Sequence, residues 1–337
     1  MRSMRYLLWT CLVLGILWGS YWFVGSRAIE SGVRTWFADQ KAAGLVAETS
    51  GVSVAGFADR FDLTVSDLHL ADPVTGWGWK APFAQVLAMT WKPWHLIAAL
   101  PHTQEADLPD GQKITIGSTR LMASLLMRPS LTFGFTRAVV EGEGLALTSD
   151  TGWTAGAEKV VLATENDPTR KNTLHLGADV ANLSLPVAFA QDTDLGGTMA
   201  LVHLDAYVSL SQPIDTNMRN PQVLGGGITA LHVVWGAMDL TGAGQITPDA
   251  QGFAQGKIDL NLKGWRQVPA VVVALGLVPQ RNQVTVLRAL EFLSASGTNG
   301  STGPDPEVLS LPLTFKDGYM SLGPLPLGPA PRLVQDQ

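Results

Sequence analysis

The sequence predicts a mainly β protein behind one N-terminal transmembrane helix. The β part reads as antiparallel, curved, meander-type sheet with a few packing helices. Three observations predict this. The run Tyr6–Gly25 carries no charge. After Ser50 the apolar period changes from 3.6 to 2, the period of a strand with one apolar and one polar face. Turn residues punctuate the rest, in a chain with 35 glycines and 20 prolines.

Residues 1–5 form a short N-terminus bearing Arg2 and Arg5. Residues 6–25, YLLWTCLVLGILWGSYWFVG, span about 30 Å as a helix, the thickness of a bilayer's hydrocarbon core. Leu7, Leu8, Trp9 and Leu12 supply the apolar body, and Trp18, Tyr21 and Trp22 gather at its distal end as interface anchors do. The positive-inside rule puts the N-terminus in the cytoplasm and the bulk of the chain beyond the membrane. A cleaved signal peptide is the alternative. It fits less well, because the run is long, ends in bulky aromatics and lacks a small-residue cleavage site.

Residues 26–48 continue with helical spacing, Ile29, Val33, Trp36 and Phe37 marking one apolar face. Two readings stay open for this amphipathic helix: it lies on the membrane surface, or it caps the folded domain.

Residues 49–264 form the β-rich body. Alternation is clear at Phe61-Leu63-Val65, then shifts phase after Asp67 to Leu68 and Leu70. It returns at Ile114-Thr115-Ile116, Leu145-Ala146-Leu147, Leu174-His175-Leu176, Val202-His203-Leu204 and Ile258 to Leu262. Turns are expected at Asp110-Gly111, Gly142-Glu143-Gly144, Asp249 to Gly252 and Asp317-Gly318. An internal echo joins LHLADPVTGWGWKAPFAQVLA (68–88) to LALTSDTGWTAGAEKVVLA (145–163), each reading as strand, Gly-Trp turn, strand. Residues 265–296 are helical. Pro269 suits a first turn, Gly276 a stop, and Val284, Val286, Leu287, Leu290 and Leu293 an apolar face. Residues 297–337 comprise a loop, a C-terminal hairpin and a Pro-rich tail.

Composition narrows the function classes. Only 15% of residues are charged, against about 25% in ordinary soluble domains. The net charge is −6 and no Lys/Arg cluster occurs, so no nucleic-acid partner is expected. The one cysteine, Cys11, lies in the apolar run, which leaves no internal disulfide or cysteine-based metal site. No nucleophile elbow, P-loop or dinucleotide fingerprint is present. None of the six histidines stands at a local metal-pair spacing. Period 2 turns His69, His175 and His203 away from their leucine and valine neighbours, toward water. No enzyme activity, cofactor or metal is expected.

The stretches FDLTVSDLHLADP (61–73), AQVLAMTWKPWHLIAALPHTQ (84–104), GAGQITPDAQGFAQGKIDLNLKGW (242–265) and LPLTFKDGYMSLGPLPLGPAPRL (311–333) resemble the alphaproteobacterial domain-of-unknown-function 2125 family, akin in style to AsmA-like envelope proteins. The resemblance implies an inner-membrane-anchored protein with a β-rich periplasmic domain and no established enzyme activity. AsmA-like relatives imply curved sheets whose apolar face shields or moves lipid. The candidate lipid-facing residues are Leu68 and Leu70, Leu145 and Leu147, and Ile258, Leu260 and Leu262. The expected role is binding or shuttling lipid or another apolar envelope component. A scaffold that acts through envelope protein partners is the alternative.

Overall fold

The computed structural model describes residues 2–191, 193–274, 276, 278–295, 308–323 and 325–334. It is mainly antiparallel β, with 18 strands and four α-helices among those residues. The chain divides into two compact units, Met1–Met127 with Leu147–Gly152, and Arg128–Ala146 with Trp153–Gln337.

The first unit opens with α1 (Arg2–Ala42), one uninterrupted helix covering both segments that the sequence separates at residue 25. Gly25 is a point of close approach rather than a break: a Cβ there would stand 2.8 Å from the Phe61 ring. The helix ends at Ala42, two residues before Gly44 at φ +90°. Residues 46–48, expected as the end of the helix, instead form strand β1 (Val46–Glu48). They are drawn into pairing with a strand beneath the helix.

The remaining strands of this unit are β2 (Gly51–Ala55), β3 (Arg60–Ala71), β4 (Gly78–Met89), β5 (Lys92–Ala99), β6 (Thr103–Asp107), β7 (Lys113–Gly117) and β8 (Arg120–Met127). β1 and β2 both pair with β3. β4 pairs with β3, then divides its free edge between β6 and β5. The second half of α1 caps the sheet. Arg34 Nη2 donates to the Val52 carbonyl at 2.9 Å, and Glu30 accepts from the Val54 N–H at 3.1 Å. Phe37 is buried with Ala47, Val65 and Leu68, while Trp36 stays exposed.

The 68–79 stretch is the expected hairpin, with Leu70 opposite Trp79 and Ala71 opposite Gly78. Asp72 holds the turn, accepting from the Val74 N–H and the Thr75 hydroxyl at 2.8 Å each. Those bonds, the hydroxyl's foremost, keep its carboxyl below the ordinary range. Gly76 is required at φ +80°, where a Cβ would also meet Pro109 at 3.0 Å.

The second unit is a meander. β9 (Phe135–Ser149, of which residues 147–149 belong to the first unit), β10 (Thr154–Asn166), β11 (Thr173–Ser184), β12 (Thr198–Leu210), β13 (Val223–Trp235), β14 (Met238–Pro248), β15 (Ala254–Lys263), β16 (Val308–Lys316), β17 (Tyr319–Leu322) and β18 (Leu325–Pro329) pair in chain order. The helix α2 (Val187–Gln191) interrupts it after β11, and α3 (Val268–Ala274) and α4 (Gln283–Ala295) after β15. Two sequence expectations are corrected. Gly142 to Gly144 is not a turn but lies within β9, where Leu145 leans across Gly142 so closely that a Cβ would meet it at 2.9 Å. The Pro-rich tail is not merely extended, because its residues 325–329 pair with β17 as β18. The loop expected at 297–306 lies outside the described residues.

The phase shift after Asp67 has a backbone cause. Asp67 sits in the left-handed region at φ +47° within β3, and both Val65 and Leu68 point into one core. Gly144 at +57° and Asn182 at +49° occupy β9 and β11 in the same way. Each precedes an L-x-L triplet: Leu68-His69-Leu70, Leu145-Ala146-Leu147 and Leu183-Ser184-Leu185. Asp, Asn and Gly are the residues that tolerate this conformation.

Candidate functional site

Antiparallel register sorts the second unit's side chains into two chemically distinct faces. Val160, Val180, Val202, Val233, Leu240, Leu262 and Leu309 face one another in succession from β10 to β16. Two residues along, Leu162, Ala178, Leu204, Leu231, Gly242, Leu260 and Leu311 form a second row on the same face. On the opposite face one row begins with Val161 and continues with Asp179, His203, His232, Thr241, Asn261 and Ser310.

The apolar face is covered over β15 and β16. There α4 brings Leu290 and Leu293 onto Leu262, Leu309 and Leu311, all buried with Trp235 and Trp265. Val268 and Val271 of α3 pack against the same cluster, as does Phe189 of α2, stacked on Trp235 at 5.8 Å. Toward the other end of β15, Ile258 is buried with Ala254, Phe315 and Ala330, and Leu260 packs on that cluster.

Over β10 to β12 the same face is different. Val160, Val180, Val202 and Leu204 are only half-buried although strands flank β11 and β12 on both sides. Leu162 is 45% exposed, against 3% for Leu311 at the far end of its own row. A residue inside a sheet keeps that much accessible surface only where no layer lies over it. Among the described residues, then, one sheet face is part core and part open apolar surface.

The predicted lipid-facing residues divide accordingly. Ile258 and Leu262 are buried in the chain's own core, and Leu68 is buried beneath α1. As candidates for a lipid contact these three are corrected: helices and the C-terminal strands already occupy their apolar face. Leu70 and Leu260 pack, half-buried, against the same clusters. Leu145 and Leu147 are half-buried on β9. The open residues, Val160, Leu162, Val180, Val202 and Leu204, lie outside the predicted set. Their alternation was legible in Val202-His203-Leu204, but covered and open stretches of one face carry the same pattern.

The polar face gathers histidines and carboxylates from different strands. His203 Nδ1 lies 2.6 Å from Asp179 Oδ1, His232 Nε2 lies 3.0 Å from Asp239 Oδ1, and His203 and His232 are direct cross-strand partners. His175 Nε2 donates to Asp167 Oδ2 at 2.8 Å. In the first unit, on β3, His69 Nδ1 stands 3.4 Å from Glu48 Oε2. These histidines face away from the leucines as expected, but each has a carboxylate partner that sequence spacing does not reveal. Asp167, whose side chain is buried, also accepts from Arg170 Nε at 2.7 Å and from Thr169 and Arg170 N–H groups. The Thr169 hydroxyl at 2.7 Å is the largest influence holding its carboxyl well below the ordinary range. The bond from Arg170 Nε to Asp167 in turn raises the pKa of the Arg170 guanidinium, which lies 4.1 Å over the Tyr207 ring. Asp167 therefore serves to fix the turn between β10 and β11. Among the described residues no group of three or more His, Cys, Asp or Glu could hold a metal ion.

The first unit has its own apolar feature, a cleft of about 390 Å³ between the end of α1 and the β3–β4 hairpin. Trp36, Trp77 and Trp79 line it with Val46 and Leu70. Sequence reasoning placed Trp77 and Trp79 in the hairpin but could not bring Trp36 to them across the fold.

α1 is long and apolar enough to cross a membrane. Of the expected anchor residues, Leu7, Leu8, Trp9 and Leu12 are all more than half exposed. Trp18 and Tyr21 are partly exposed and bonded to the first unit, Trp18 Nε1 to the Ala58 carbonyl at 2.8 Å and Tyr21 Oη to the Thr90 carbonyl at 3.0 Å. Trp22 is corrected: it is 7% exposed, stacked on Phe61 and bonded to the Arg60 carbonyl at 2.7 Å. The aromatic cluster that looked like an interface belt is partly a docking surface for the domain.

A family profile described as an uncharacterized protein conserved in bacteria, DUF2125, matches residues 22–331. The chain matches no curated protein and no solved structure.

Proposed function

The chain belongs to the DUF2125 family, and from that premise we propose that it is an envelope protein, held by α1 in the inner membrane with its bulk in the periplasm, that binds lipid or another apolar component. The observation that carries this reading is the open stretch of apolar face over β10 to β12, continuous with a packed core over β15 and β16. An acyl chain laid along Val160, Val180, Val202 and Leu204 would extend that core by the same chemistry that α4 supplies at the other end. Each Å² of apolar surface so covered contributes about 25 cal/mol. The mechanism is passive. It needs no cofactor and no reacting group, and the histidine-rich face stays in water. The likeness to AsmA-like lipid-handling sheets supports the reading as an analogy of architecture only.

Purification of the full chain in mild detergent, followed by lipid mass spectrometry, tests the proposal. Lipid should co-purify above a detergent-only background. Leu162→Asn, which places an amide on the open face at an already accessible position, should reduce the retained lipid several-fold with little effect on folding. Recovery of no lipid, together with capture of one dominant envelope protein, would favour the scaffold alternative.

A further inference from the structure

α1 is strapped to the first unit within its apolar run, and this fixes how deep the unit must sit if the helix spans a bilayer. The three straps, from Trp18, Tyr21 and Trp22, reach the carbonyls of Ala58, Thr90 and Arg60. With the hydrocarbon core starting at Tyr6, Trp18 lies about 18 Å and Trp22 about 24 Å along the axis, at 1.5 Å per residue. The core is about 30 Å thick. The straps therefore fall inside the far leaflet, and the two loops they hold, Gly56–Asp59 and the β4–β5 turn with its strand end, Met89–Trp91, cannot stand clear of it.

The side chains these loops expose fit that depth. Phe57 is 60% exposed, Trp91 56% and Met89 42%. Phe57 packs edge-on against Trp22 and beside Phe23, itself more than half exposed. Asp59 closes the first loop, Arg60 and Lys92 follow the two loops directly, and the charged ends of all three would reach headgroup level. Exposed aromatics of this size in a water-facing loop would lose favourable burial; at the acyl–headgroup boundary they gain it.

We propose that the Gly56–Asp59 and Met89–Trp91 loops form a second membrane contact, a collar seated in the far leaflet around α1. The collar rests on the reading of α1 as a membrane span. It makes the first unit a membrane-embedded base rather than a domain on a free tether.

The test is nitroxide labelling of the full chain, with Cys11→Ser and single cysteines at Phe57, Met89 or Trp91, in vesicles of phosphatidylethanolamine and phosphatidylglycerol. Leu12→Cys reports the helix and Asp110→Cys a distant turn. Spectral relaxation by oxygen, which concentrates in lipid, is compared with relaxation by a water-soluble nickel chelate. Oxygen should dominate at 57, 89, 91 and 12, and the chelate at 110. Met89, which contributes no ring to the cluster, keeps the test valid should the Phe57 variant misfold. Chelate access at 57, 89 and 91 with lipid exposure at 12 overturns the collar while the span stands. Chelate access at 12 overturns both. Protection from both reagents at the loops means protein covers them, and it overturns the collar as well.

Discussion

At the residue scale the polar face shows how period 2 and tertiary pairing share the work. Alternation alone turns His175, His203 and His232 away from the valines and leucines. It says nothing of Asp179, Asp239 or Asp167, whose approach depends on strand register and a turn. Asp167 is the most committed of these, with donors from Thr169, Arg170 and His175 around one carboxylate. Its folded pKa lies below the ordinary 3.8. The bonds therefore stabilise the fold fully above about pH 4, and the contribution is lost as pH falls further, when the unfolded chain takes up a proton more readily than the folded one. Asp167→Asn should lower stability at pH 7 and flatten the fall in stability below pH 4. Urea unfolding followed by circular dichroism across that range measures both, and an unchanged acid limb would show that the carboxylate is not held as described.

At the scale of elements, helix α4 decides which part of the sheet is core. The sequence marked its apolar stripe, and Val286, Leu287, Leu290 and Leu293 do face the cluster. Val284 does not: it is 58% exposed. A helix presents one stripe of about 100° to a flat sheet, and Val284 falls outside it. Leu290→Ala should cost about 2–5 kcal/mol, the range for buried leucines, whereas Val284→Ala should change stability by less than about 0.5 kcal/mol. Equal effects of the two in thermal unfolding would mean that α4 is not seated as described. The strands were legible because alternation, Asp-Gly turns and the Gly-Trp echo agree. Gly142 to Gly144 misled because a glycine inside a strand and a glycine in a turn look alike in sequence. Here it permits close packing by Leu145 and, at Gly144, the same left-handed step that Asp67 and Asn182 make.

For the whole molecule, fold class and strand order were readable, because neighbouring strands in chain order pair throughout the second unit. What covers the sheet was not. Coverage depends on where α3, α4 and the C-terminal strands come to lie, and long-range packing leaves no periodic mark. Hence Ile258 and Leu262 read as open apolar strand residues and are core, while Leu162 and Val202 read as ordinary strand residues and remain accessible. The same limit applies to α1, whose aromatic end looked wholly membrane-directed until Phe57 and Phe61 arrived from another element. A photo-activated benzophenone side chain placed at Leu162 reports whether the open half of the apolar face holds lipid in the cell, with Glu165 on the polar face of the same strand as its control. Irradiation of intact cells should attach phospholipid at 162 and none at 165. Equal labelling at both positions, or a protein adduct alone at 162, would show that the open face does not hold lipid.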